Sequence, residues 1–134
     1  MDAGELRALP PLAGMSPEGL ARVAACAAEL EADDGQVLAL QDDPGSGMYL
    51  IREGTVAVEL RSGTLELGPG DFFGELALLI EGGARVARVR ATSPVRCLSI
   101  PREDFLALVE TEPSFALSLL RELARRLAEA RAAV

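Results

Sequence analysis

The sequence predicts a mainly β domain flanked by helices: a β-roll or sandwich with one helix before it and two after it. Three observations carry this. Clusters of Gly, Pro, Asp and Ser recur through residues 36–100 at the spacing that separates short strands. The runs between them either alternate apolar and polar residues or are wholly apolar. Both ends of the chain instead carry apolar residues three and four apart, the period of one helix face. With 134 residues, 49% apolar and 25% charged, the chain is expected to be one folded domain with a single core. Its expected parts are a helical segment over 1–35, a β-roll over 36–100 and helices over 101–134.

The elements follow in order. Leu9-Pro10-Pro11 stiffens the opening segment. Ser16-Pro17-Glu18 is a helix start: a hydroxyl cap, a proline whose missing N–H costs nothing there, and an acid in the first turn. Leu20, Val23, Ala24, Ala27 and Leu30 then share one face, so this helix is expected to reach Leu30 and to end in the turn Glu31-Ala32-Asp33-Asp34-Gly35. In the middle block Met48-Tyr49-Leu50-Ile51 is a short apolar strand. Thr55-Val56-Ala57-Val58-Glu59-Leu60 alternates, with Val56, Val58 and Leu60 on one face, and Val95-Arg96-Cys97-Leu98-Ser99-Ile100 is a further strand. Turns are expected at 43–47, Glu53-Gly54, Ser62-Gly63, 68–71 and Ser93-Pro94.

Pro101 closes the sheet region, residues 102–110 can form a short helix, and Pro113-Ser114 opens a long one. In that helix Ala116, Leu120, Leu123, Leu127, Ala130 and Val134 form an a/d seam. Two readings stand: the helix packs on its own roll through Phe115 and Leu119, or it pairs with a second copy of the chain in a homodimer. Arg121, Arg125, Arg126 and Arg131 are expected on its solvated face.

Composition removes several functions. All 13 basic residues are Arg, there is no His, and the net charge is −8. Without His and with two Cys, no metal is expected, and neither a Ser-His nor a Cys-His nucleophile pair can form. The acidic balance repels nucleic-acid backbones, so direct nucleic-acid contact is not expected. No window nears the roughly 18 apolar residues of a membrane span, and Asp2, Glu5 and Arg7 leave no apolar signal core. The expected setting is the cytoplasm, with Cys26 and Cys97 as reduced thiols.

The chemistry concentrates in Gly68-Pro69-Gly70-Asp71-Phe72-Phe73-Gly74-Glu75-Leu76-Ala77-Leu78-Leu79 and the following Arg85-Val86-Ala87-Arg88-Val89. Gly74 lets backbone approach a ligand closely, and a helix starting after it offers N–H groups suited to an anion such as a phosphate. Glu75 there needs a hydrogen-bond donor, which a sugar hydroxyl supplies. Alternation puts Arg85, Ala87, Val89 and Ala91 on one face and Val86, Arg88 and Arg90 on the other. The first set is apolar but for Arg85, so Arg85 is carried inward. A buried guanidinium requires an anion: a phosphate, or a carboxylate of the protein itself.

This stretch resembles the phosphate-binding cassette of cyclic-nucleotide-binding domains, found in catabolite-activator-type regulators, regulatory subunits of cyclic-AMP-dependent protein kinase and cyclic-nucleotide-gated channels. The hairpin Met48-Tyr49-Leu50-Ile51-Arg52-Glu53-Gly54-Thr55-Val56 is similar too. The resemblance implies an eight-stranded jelly roll, or double-stranded β-helix, with flanking helices, and a cassette over 70–88. It implies a regulatory domain rather than an enzyme. Phe73, Gly74, Glu75, Leu76, Ala77, Arg85 and Val86 would form the site. Glu75 would accept from the ribose 2′-OH, backbone N–H groups around Gly74, Leu76 and Ala77 would hold the cyclic phosphate, and Arg85 would pair with its charge. The long helix would close over the base and pass the signal to an effector protein. Val86 lacks the hydroxyl with which relatives carrying Thr help select cyclic GMP, so cyclic AMP is the implied ligand. Ala84, Val86, Arg88 and a longer loop at 80–83 depart from the family's pattern. They motivate the alternative of a jelly-roll interaction module that binds no nucleotide.

Overall fold

The computed structural model describes residues 2–39, 47–60, 63–75, 79 and 88–132. Eight strands are found among them: β1 (Ala28–Ala32), β2 (Val37–Ala39), β3 (Gly47–Glu53), β4 (Val56–Leu60), β5 (Gly63–Leu67), β6 (Phe72–Phe73), β7 (Arg88–Ala91) and β8 (Val95–Pro101). They pair antiparallel in two four-stranded sheets, ordered β1-β8-β3-β6 and β2-β7-β4-β5. This is the mainly β double-sheet roll that the turn spacing predicts, with helices α1 (Ala3–Arg7), α2 (Pro17–Cys26), α3 (Arg102–Thr111) and α4 (Pro113–Ala132) beside it.

The first sheet is covered on both faces, which explains its near-continuous apolar strands. Along β3, Met48 and Leu50 face the helical layer, where they meet Phe105 and Phe115, while Ile51 faces the roll interior with Val56 and Val89. The sheet thus divides the core in two. Phe105 and Phe115 meet edge to face at 5.9 Å and lock the α3–α4 corner onto it.

Where β3 turns into β4, Gly54 has φ +87°, and a Cβ there would stand 2.1 Å from the Pro94 carbonyl oxygen. The backbone conformation and the contact both require glycine. Ser93 Oγ accepts the Thr55 N–H beside it at 2.9 Å, tying this hairpin to the β7–β8 turn.

The helix expected to reach Leu30 stops at Cys26, and residues 28–32 form β1. Leu30 continues the helical spacing, yet Ala28-Glu29-Leu30-Glu31-Ala32 also alternates, and pairing with β8 from Ala28↔Ser99 to Ala32↔Val95 decides between the two. The helical part of the chain's start therefore ends before the expected 1–35 boundary. Outward Glu29 and Glu31 meet Arg96 at 3.3 and 3.5 Å across that pairing. The cap at Ser16 forms as expected, its Oγ accepting the Gly19 N–H at 3.1 Å.

The long helix packs on its own roll, as the first of its two readings expects. Phe115 and Leu119 are buried on the roll, while Leu120 and Leu127 are 64% and 55% exposed. Phe115→Ala should cost about 3–5 kcal/mol in urea unfolding, as for other buried aromatics. Leu120→Ala should stay within about 0.5 kcal/mol at dilutions where the chain is monomeric. Equal losses would contradict this division of the helix.

Candidate functional site

A self-bonded turn sets up the site. Asp71 accepts the Gly68 N–H through its carboxylate at 2.9 Å, and its own N–H donates to the Gly68 carbonyl at 3.0 Å. The turn is pinned to β3 by Gly70 N–H to Ile51 O at 2.8 Å and Ile51 N–H to Asp71 O at 2.9 Å. It delivers β6 onto β3 in the register Leu50↔Phe72 and Tyr49↔Phe73.

Strand alternation then separates the two phenylalanines. Phe73 enters the roll and stacks on Tyr49 at 5.0 Å. Phe72 faces the helices. Gly74 follows with φ +92°, a left-handed turn that ends the strand. A helical bond begins at once, from Leu79 N–H to Glu75 O at 2.9 Å. Glu75 is carried on this corner and is 3% exposed.

Arg126 of α4 reaches the same corner. Its Nη2 donates to the Phe72 carbonyl at 2.8 Å, and its guanidinium lies 4.6 Å over the Phe72 ring. Its Nη1 stands 3.5 Å from Glu75 Oε1. The shorter bond and the ring contact make Phe72 the anchor, with Glu75 a longer electrostatic partner. Among the described residues the buried Arg126 Nε has no hydrogen-bond partner, and it lies 4.0 Å from Glu122 Oε1. The corner therefore combines a buried carboxylate, a left-handed glycine and a buried cationic N–H. These suit a ligand bearing a hydroxyl and an anionic group.

Arg126 corrects the expected solvated face of α4. Arg121, Arg125 and Arg131 are exposed, and Arg125 pairs with Glu122 and with Glu129, while the Arg126 side chain is 13% exposed. The signal was present in the spacing: Arg126 lies two turns beyond Leu119 and three beyond Phe115, on the stripe that packs on the roll.

Of the expected site residues, Phe73, Gly74 and Glu75 are consecutive at this corner. Leu76, Ala77, Arg85 and Val86 lie outside the described residues, as does most of the 70–88 cassette. On β7 the expected faces hold. Val89 and Ala91 are buried, and Arg88 and Arg90 reach Glu59 at 3.0 and 3.5 Å on the outer surface. Arg88 beside it holds the Glu59 carboxyl below its ordinary range.

The two cysteines are free thiols, Cys97 buried inside the roll and Cys26 at the end of α2. Burial pushes Cys97 up to about 11 and also raises Cys26, with Asp104 adding to the latter, so neither is an activated thiolate. Among the described residues no group of three His, Cys, Asp or Glu side chains is placed to hold a metal ion. No described helix is long and apolar enough to cross a membrane.

The profile of the cyclic nucleotide-binding domain matches residues 29–112, more than half of the chain. The chain belongs to this family. The expected resemblance is borne out, and so is the jelly roll with flanking helices. The Cyclic AMP receptor protein of Thermus thermophilus is 40% identical over 102 residues, covering 72% of this chain and 47% of that protein. Glutaminase 2 of Bradyrhizobium diazoefficiens is 39% identical over 106 residues, covering 75% of this chain and 17% of that protein. The crystal structure of Thermus thermophilus Catabolite Activator Protein superposes with a TM-score of 0.74 at 35% identity, covering 91% of this chain and 60% of that one. This chain thus spans less than half of the curated relatives it matches. The family is regulatory and binds cyclic nucleotides.

Arg126→Met keeps the aliphatic stem and deletes the guanidinium. It should destabilise the ligand-free protein by about 1–3 kcal/mol in urea unfolding, the range for losing a charge-assisted hydrogen bond. Glu75→Gln should recover part of that loss in the double variant. Strict additivity would show that the two side chains do not interact.

Proposed function

We propose that this domain binds cyclic AMP at the Glu75 corner and reports its occupancy through α4 to an effector protein, without catalysis of its own, in the cytoplasm. One observation carries the reading: Arg126, borne by the long helix, rests on Phe72 within 3.5 Å of Glu75 and keeps a buried Nε without a hydrogen-bond partner among the described residues. A ribose hydroxyl donates to Glu75. The cyclic phosphate takes backbone N–H groups near Gly74, Leu76 and Ala77, and Arg85 matches its charge, as the family's cassette implies. Val86 has no hydroxyl to select cyclic GMP, and a relative bearing the name Cyclic AMP receptor protein supports the same choice.

Electrostatics fixes the sign of the coupling. The nucleotide brings an anion into a corner that already holds Glu75, with Glu122 nearby on α4. Arg126 offsets that charge, so ligand binding and helix docking reinforce each other. The helix also offers an outward stripe, Leu117, Leu120 and Leu127, exposed at 45%, 64% and 55%. It suits a second copy of the chain in a two-fold helix pair.

Calorimetry with cyclic AMP and cyclic GMP tests the ligand. Micromolar binding is expected, tighter for cyclic AMP. Arg85→Ala should weaken it by about 2–5 kcal/mol, the cost of removing one partner of a buried charge pair. No heat at millimolar ligand would leave the alternative, an interaction module of the same fold that binds no nucleotide. Sedimentation at several concentrations tests the pair. A dimer that Leu120→Glu with Leu127→Glu converts to monomer is expected, and a parent chain monomeric throughout would contradict it.

A further inference from the structure

Glu112 stands where α3 ends and α4 begins. Its N–H donates to the Leu108 carbonyl at 2.8 Å, closing α3, and its carbonyl accepts the Ala116 N–H at 3.1 Å, opening α4. Its backbone is extended there, at φ −120° and ψ 91°, as expected before Pro113. The residue is the joint between the two helices.

Its side chain does something else. Glu112 is 8% exposed, and both carboxylate oxygens turn to a single residue far away in sequence. Oε1 accepts the Ser16 N–H at 2.7 Å, and Oε2 accepts the Ser16 hydroxyl at 2.7 Å. Among the described residues no arginine lies within ion-pair distance of it. Ser16 is the cap of α2, and its oxygen accepts the Gly19 N–H at 3.1 Å while its proton goes to Glu112. Capping α2 needs only the acceptor, so the bond to Glu112 is a second use of the same hydroxyl. Gly19 leaves the space: a Cβ there would stand 2.6 Å from Glu112 Cδ. Nearby, a Cβ on Gly14 would stand 3.1 Å from Ser114 Cβ, so the segment before α2 also seats the first turn of α4.

We infer that Ser16 and Glu112 form a latch that positions α4: the buried carboxylate ties the α3–α4 joint to the start of α2 and so sets where Arg126 meets Phe72 and Glu75. The lever is long. Arg126 lies about 20 Å along the helix from the joint, at about 1.5 Å per residue. A tilt of about 10° at Glu112 would move it by about 3–4 Å, enough to break the bond to Phe72. Glu112 and Ser16 are positioning residues. Their effect on α4 stands on the contacts above, and their effect on affinity rests on the nucleotide reading.

Ser16→Asp separates the latch from the cap. Aspartate caps α2 as well as serine does, but it has no proton to donate and sets a second carboxylate against Glu112. Ser16→Thr keeps both functions. Hydrogen exchange by mass spectrometry on the ligand-free full chain should show residues 115–127 exchanging about tenfold faster in Ser16→Asp, with β3 and β8 unchanged and Ser16→Thr like the parent. An unchanged α4, or equal acceleration in β3 and β8, would overturn the latch. Calorimetric cyclic AMP affinities of Ser16→Asp, Arg126→Met and the double variant add a second readout. The latch acts through Arg126, so Ser16→Asp should weaken binding in the parent and cause no further loss beside Arg126→Met. Additive losses would overturn it. A parent chain that binds no nucleotide would defeat the nucleotide reading, while the exchange result would still decide the latch.

Discussion

A guanidinium taken out of water has to be met by acceptors, and at Arg126 this requirement joins the two layers of the molecule. Its partners off its own helix are the Phe72 carbonyl, the Phe72 ring and the Glu75 carboxylate, all on the corner that leaves β6. Arg126 itself belongs to the last helix. Any change at Glu75 is therefore felt on α4 one side chain away, and any movement of α4 removes a cation from beside Glu75. The corner and the helix thus share one electrostatic contact.

That contact is possible because the β1-β8-β3-β6 sheet is covered twice. One face closes the roll and the other carries the helices, so two successive residues of β6 serve different cores. Phe73 fixes the strand inside the roll against Tyr49, and Phe72 offers its ring to the helical layer. The left-handed Gly74 then turns Glu75 into the seam between the layers. At the other end of α4 the corner formed by Phe105, Phe115 and Glu112 holds the helix base. The helix is thus held near both ends, by packing and a buried carboxylate at one and by a cation at the other.

Much of this was legible in the residues. The Ser16 cap, the Gly54 turn, the alternation that buries Val89 and Ala91, and the consecutive Phe73, Gly74 and Glu75 all follow from local chemistry. The end of α2 was not, because 28–32 fits both periods and only pairing with β8 selects the strand. The role of Arg126 was hidden by its neighbour. Arg125 and Arg126 are adjacent, and which of two adjacent arginines turns inward depends on the helix's rotation about its axis. Phe115 and Leu119 set that rotation, and the a/d seam runs along the neighbouring stripe. Glu112 could not be read at all, since its partner Ser16 lies 96 residues away.

We propose that occupancy at Glu75 is sensed by the Arg126 guanidinium. The most direct measurement is the Nε–Hε resonance of Arg126 in ¹⁵N-labelled protein, assigned by its loss in Arg126→Lys, during titration with cyclic AMP. The account predicts a saturable shift of that resonance and slower exchange of its proton as Nε gains an acceptor. A resonance unmoved at saturating nucleotide would contradict it.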